Sequence, residues 1–210
     1  MPDTAPRSLT QRLIALVGLV AIVGVAVAVL ALTGILGGNA GDVEAVQLLD
    51  TPTSSGQTTE VGPERGKLAP NFEISDYDAS RHRLSDLRGR AVYINFWATW
   101  CVPCQKELPD IAALQEEYGE DLVVIAVNRR EPLDRARTYF ENVPNLEGGQ
   151  GIDFPVNGLD PDDTLYSEYR GLGMPVSIFV SPDGVITDRA DGIISIEQMR
   201  EATDRALAGG

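Results

Sequence analysis

The sequence predicts an α/β fold, a sandwich of helices around a mixed central sheet. An N-terminal hairpin, a central helical insertion and one preceding transmembrane helix complete the expectation. Three observations carry it. From residue 67 onward, apolar runs of strand length alternate with stretches of helical periodicity, the pattern of layered sheet and helix. The motif Cys101-Val102-Pro103-Cys104 falls where one such run ends and a helical stretch begins. Leu13 to Leu36 supplies 24 consecutive uncharged positions.

Taken in order, residues 1–12 carry Arg7 and Arg12 and are expected in the cytoplasm. Residues 13–36, as a helix, would extend about 36 Å, enough to cross a hydrocarbon layer of about 30 Å. Asp42, Glu44 and Asp50 follow, and the next basic residue is Arg65. The positive-inside rule therefore puts the bulk of the chain outside the cytoplasm, anchored in the cell membrane by a single span. A cleaved signal peptide is the alternative, with small residues at Gly38-Asn39-Ala40, but the apolar stretch exceeds the usual core of about 7–15 residues. Residues 37–66, rich in Thr, Ser, Gly, Pro and acids, read as a flexible linker. Within it, Val43, Val46, Leu48 and Leu49 offer at most a short helix.

The domain is expected over residues 67–210. Ala69–Ile74 alternates apolar and polar, a half-buried strand, and Arg81–Leu84 returns as its hairpin partner. Ala91–Phe96 is a buried strand, and Gln105–Tyr118 a helix with Ile111, Leu114 and Tyr118 on one face. Leu122–Val127 is a second buried strand. Glu131–Val143 is helical, with Leu133, Ala136, Tyr139 and Phe140 as its stripe. A glycine-rich loop, a short strand at Phe154-Pro155-Val156 and a short helix at Thr164–Arg170 form the insertion. Val176–Val180 and Val185–Thr187 are strands joined by Ser181-Pro182-Asp183-Gly184, a turn sequence. Ser195 caps a last helix that presents Ile196, Met199, Ala202, Ala206 and Leu207.

A formal charge of −14 argues against nucleic acid as a partner, since binding it rewards basic surfaces. Only two cysteines occur, both in one motif. A bridge over so short a loop removes little unfolded-state entropy, so redox chemistry explains the pair better than stapling. Structural zinc needs four ligands, and the chain offers no further cysteine and one histidine, His82, so no metal is expected. A thiol at a helix N-terminus meets unpaired N–H groups and the positive end of the helix dipole, which favour the attacking thiolate. Cys101, first in the helix, is the expected nucleophile. Cys104, one turn later, is the expected resolving thiol. No cofactor beyond the Cys101–Cys104 disulfide is expected.

The stretch Asn95-Phe96-Trp97-Ala98-Thr99-Trp100-Cys101-Val102-Pro103-Cys104-Gln105-Lys106-Glu107-Leu108-Pro109 resembles the thioredoxin superfamily, and within it the membrane-anchored TlpA/ResA/CcmG-like thiol-disulfide oxidoreductases. Tyr169-Arg170-Gly171-Leu172-Gly173-Met174-Pro175 is similar to the family's loop ending in a cis-proline. The resemblance covers roughly residues 67–208. It implies a thioredoxin-like fold, with the hairpin and insertion as additions of this branch. It also implies a cis Pro175 beside Cys101, leaving the Met174 backbone free for a substrate strand. Trp100, Val102, Pro103, Met174 and Pro175 are then the substrate-binding candidates.

Two departures from the family matter. Asn95 stands where thioredoxin has a buried aspartate, and Glu107 matches the acid that ResA-like proteins carry after the motif. Three residues past Cys104, Glu107 is the candidate proton relay and tuner of the thiol pKa values; the alternative is an exposed helical carboxylate paired with Lys106 or a neighbour. Val176-Ser177 differs from the Thr- or Glu-containing pairs common after this proline. His82 reads as a surface hairpin residue.

The function implied is an extracytoplasmic reductase of client disulfides, apocytochrome c among them, supplied by a membrane thiol donor of the CcdA/DsbD kind. The alternatives are a disulfide-forming oxidase on the same fold and a membrane-tethered binding module without catalysis. A peroxidase fits less well, because peroxiredoxin-like sites carry a Thr-x-x-Cys pattern that Thr99-Trp100-Cys101 does not reproduce.

Overall fold

The computed structural model describes residues 45–52, 60–144, 148 and 150–209. The expected span over 13–36 lies outside them; among the described residues no helix is long and apolar enough to cross a membrane.

Two continuous apolar runs make the centre of the main sheet, strands β4 (Ala91–Trp97) and β5 (Leu122–Arg129), paired in parallel. Such runs suit strands covered on both faces. Numbered in chain order, β6 (Val156–Asp160) lies parallel outside β5, while β7 (Val176–Val180) and β8 (Ile186–Asp191) run antiparallel on the other side. The order is β6-β5-β4-β7-β8, a mixed sheet.

Alternation along β4 feeds two cores. Tyr93 and Trp97 enter one with Leu108, Ile111 and Leu114 of helix α1 (Val102–Tyr118), Ala136 and Phe140 of α2 (Leu133–Asn142), and Met199, Ala202 and Ala206 of α4 (Ile196–Leu207). Val92, Ile94 and Phe96 enter the other with Leu165 and Tyr166 of α3 (Thr164–Glu168), and with Tyr169. Trp97 stacks on Phe140 at 4.3 Å between centroids, a contact worth about 1 kcal/mol beyond its buried area. Leu133 and Leu207, expected in helix stripes, are instead exposed at helix ends. A reciprocal capping box, Ser195 with Gln198, opens α4.

A second sheet has the order β1-β2-β3, all antiparallel: β1 (Val46–Leu49), β2 (Asn71–Ser75) and β3 (Arg81–Arg83). The hairpin is β2–β3; β1 was not expected. The reading of 37–66 as a flexible linker, with a short helix at most, fails for residues 46–49, which pair with β2 as a strand well ahead of residue 67. The backbone of β1 completes the ladder on β2, and Val46 joins the second core. The chain on either side of β2 also meets both edges of the larger sheet. Gly66 and Lys67 exchange hydrogen bonds with Ile186, Ala69 donates to Gly184, and Asp76 pairs with Gly158 of β6.

The insertion is both strand and helix. Its strand lies at Val156–Asp160, after the expected Phe154-Pro155-Val156, because Phe154 is drawn into the first core against Phe140.

Candidate active site

Strand β4 ends at Trp97, and the chain turns through Ala98-Thr99-Trp100 into α1. Cys101 is the N-cap of that helix, and its sulfur accepts the backbone N–H of Cys104 at 3.2 Å. Pro103 sits in the first turn, where its missing N–H leaves no intrahelical bond unmade. Cys101 and Cys104 form a disulfide. In this state Cys101 is 4% exposed and Cys104 1%.

Register brings the second half of the site alongside. Phe96 pairs with Val176 and Asn95 with Ser177, so the Met174–Pro175 bond, which is cis, reaches the same end of the sheet as the cysteines. Met174 packs against the core that contains both sulfurs. Gly192 donates to the Pro175 carbonyl at 2.8 Å, bringing the β8–α4 loop to the same edge. Trp100 (57% exposed) and Val102 flank the disulfide, and Leu172 (89%) and Ile193 stand exposed on the two loops. Sequence reasoning named Trp100 and Val102 and did not single out Leu172 and Ile193, whose loops are tied to this edge by the Gly192–Pro175 bond.

Glu107 lies beneath this surface. It is 1% exposed, so the alternative of an exposed carboxylate paired with Lys106 does not hold. Its Oε1 accepts the Ile194 backbone N–H at 2.9 Å, and Asn95 Nδ2 lies 3.5 Å from Oε2. Burial raises its pKa to about 7, against the lowering effect of those two donors. Asn95 also reaches Tyr93 and Ser177, whose hydroxyls are 2.8 Å apart. Burial, and then the charge of Glu107, push Tyr93 well above its ordinary value.

A second buried carboxylate was not anticipated. Glu131 accepts the Thr99 N–H (2.7 Å) and hydroxyl (2.5 Å) and Asn128 Nδ2 (2.9 Å), while Gln105 Nε2 donates to the Thr99 carbonyl. Thr99 is thus held at three atoms, two residues before Cys101. The partners are 32 residues apart, beyond what spacing reveals. His82 lies in β3, in the smaller sheet, 2.7 Å from Asp76. Among the described residues no cluster of metal-ligating side chains occurs.

A profile of the AhpC/TSA family matches residues 65–189. The chain belongs to the AhpC/TSA family. The chain is 31% identical over 145 residues to the thioredoxin-like protein YneN of Bacillus subtilis, covering 69% of this chain and 82% of that protein. It is 35% identical over 134 residues to the thiol-disulfide oxidoreductase ResA of Bacillus anthracis, covering 64% and 73%. Among solved structures it is similar to a Chlorobium tepidum protein described as a thiol:disulfide interchange protein DsbE, with a TM-score of 0.61 and 27% identity, covering 69% of this chain and 98% of the other. The fold is thioredoxin-like, and this AhpC/TSA member is a thiol-disulfide oxidoreductase.

Proposed function

We propose that the protein is an extracytoplasmic, membrane-anchored reductase of client protein disulfides, with apocytochrome c as client and a membrane thiol donor of the CcdA/DsbD kind as its source of electrons. The observation that carries the reading is the Cys101–Cys104 pair at the start of α1, flanked by exposed Trp100 and Val102 and underlain by Glu107. The thiol-disulfide oxidoreductase name of the ResA relatives supports exchange at this pair, the reductive direction follows from the family resemblance, and Leu13–Leu36 with its flanking charges supports the anchor.

In the reduced protein the Cys101 thiolate attacks a client disulfide. A Cys101–client bond forms, the client bond breaks, and the departing client thiolate takes a proton. Cys104 then loses its proton to Glu107 and attacks Cys101. The mixed disulfide breaks, the internal one forms, and two electrons have passed to the client. A carboxyl with a pKa of about 7 is matched to taking and returning that proton at neutral pH. Exposed Trp100, Val102 and Pro103, with half-buried Met174 and the cis Pro175 behind it, receive the client.

The test is insulin reduction by the full-length chain together with its reduction potential. A potential near that of thioredoxin, about −270 mV, fits a reductase. One near about −120 mV assigns an oxidase instead. Absence of exchange leaves only a binding module.

A further inference from the structure

We propose that Arg129 is the positioning residue of the loop before Pro175, through which the β6–α3 insertion holds Gly173 and Met174 for an extended client backbone. This rests on the reductase reading above and extends it to residues that reading does not use.

Arg129 closes β5 and is nearly buried, its side chain 12% exposed. Its guanidinium makes three kinds of contact at once. Nε and Nη2 grip Asp163 as a two-pronged pair, at 2.8 and 2.5 Å. Nη1 lies 3.2 Å from the Met174 sulfur. Its face lies 3.6 Å from the centroid of Tyr166. Tyr166 in turn donates its hydroxyl to the Gly173 carbonyl at 2.7 Å. One planar cation therefore reaches the insertion on one side and the residue before Pro175 on the other.

The anchor end is rigid. Asp163 is the N-cap of α3 with a left-handed backbone, and the buried Asp160 of β6 accepts the N–H groups of Leu165 and Tyr166. The loop end is fitted to it. A Cβ at Gly171 would come within 2.2 Å of the Tyr166 ring, so the backbone lies directly on the aromatic face. Arg189 on β8 takes the carbonyls of Tyr169 and Arg170 from the other flank. Among the described residues no hydrogen bond uses the N–H or carbonyl of Met174. A peptide backbone held on both sides, with that pair of groups open, binds an extended chain at little cost in ordering.

A salt bridge serving only stability would need Asp163 alone. Meeting the carboxylate, the thioether and the aromatic face together requires the planar fork, which lysine's single ammonium does not offer. The test compares the full-length wild type with Arg129→Lys, Arg129→Ala and Tyr166→Phe, the last removing only the hydroxyl that holds Gly173. Two rates are read: reduction of the protein's own disulfide by dithiothreitol, and catalysed reduction of insulin. Dithiothreitol needs no extended docking, so that rate stays within about twofold, while kcat/KM for insulin falls about tenfold, mainly through KM, in all three variants. Parallel losses in both rates, an unchanged insulin rate, or full activity with lysine would overturn the proposal. A wild type that dithiothreitol reduces but that leaves insulin untouched would defeat the reductase reading itself, and the proposal with it.

Discussion

Glu107 carries a proton at pH values where an ordinary glutamate has lost it, and the consequence is measurable. Its pKa of about 7 in the folded protein stands against 4.5 ordinarily, a shift caused by burial. Between those values the folded state holds a proton that the unfolded state has released. Stability therefore falls as pH rises from about 4.5 to 7, by on the order of 3 kcal/mol, and the cost is complete above that window. Glu107→Gln should flatten this slope in urea unfolding at pH 5 and pH 8, and should lower both thiol pKa values by removing a nearby negative charge. Identical slopes in the two proteins would mean that another group titrates. The cysteines themselves divide the reaction. Cys101→Ser should abolish exchange, whereas Cys104→Ser should accumulate mixed disulfides with clients, visible on non-reducing gels. If alkylation of the reduced chain at mildly acidic pH labelled Cys104 first, the two roles would be exchanged.

At the scale of elements, β1 offers the clearest measurement. Val46 is buried against the second core, so Val46→Ala should cost about 2 kcal/mol from lost transfer and cavity terms. A change below about 0.5 kcal/mol in urea unfolding would make this segment a tether after all. The strand shows what the chain does and does not disclose locally. Ile111 and Leu114 announce α1, Ser195 announces α4, and the apolar runs announce β4 and β5, because each signal sits within one or two turns or a single strand. Four residues of β1 carry no such period: Leu48 points outward, and the segment is a strand only because β2 lies 25 positions later in register with it. The active site divides the same way. Cys101, Cys104 and Glu107 are readable from helical spacing and resemblance. Glu131 and Arg129 are not, since their partners Thr99, Asp163 and Met174 lie 32 to 45 residues away and meet them through sheet register.

For the whole molecule, the proposed topology has its own check. A reporter active only outside the cytoplasm, fused after Gly210, should be active, and the chain should resist extraction from membranes by an alkaline wash. Recovery of a soluble species starting near Gly41 would show cleavage instead. A second consequence follows from the way residues 66–76 touch both edges of the five-stranded sheet, at Ile186 on one side and Gly158 on the other. A bare outer strand presents rows of unpaired N–H and C=O groups that recruit other chains. Here the stretch that reaches both flanks is a single one, so its loss would leave two sticky margins together. Deleting residues 60–76 should thus yield concentration-dependent oligomers and insoluble protein, whereas an equally destabilising core substitution should yield an unfolded but soluble chain.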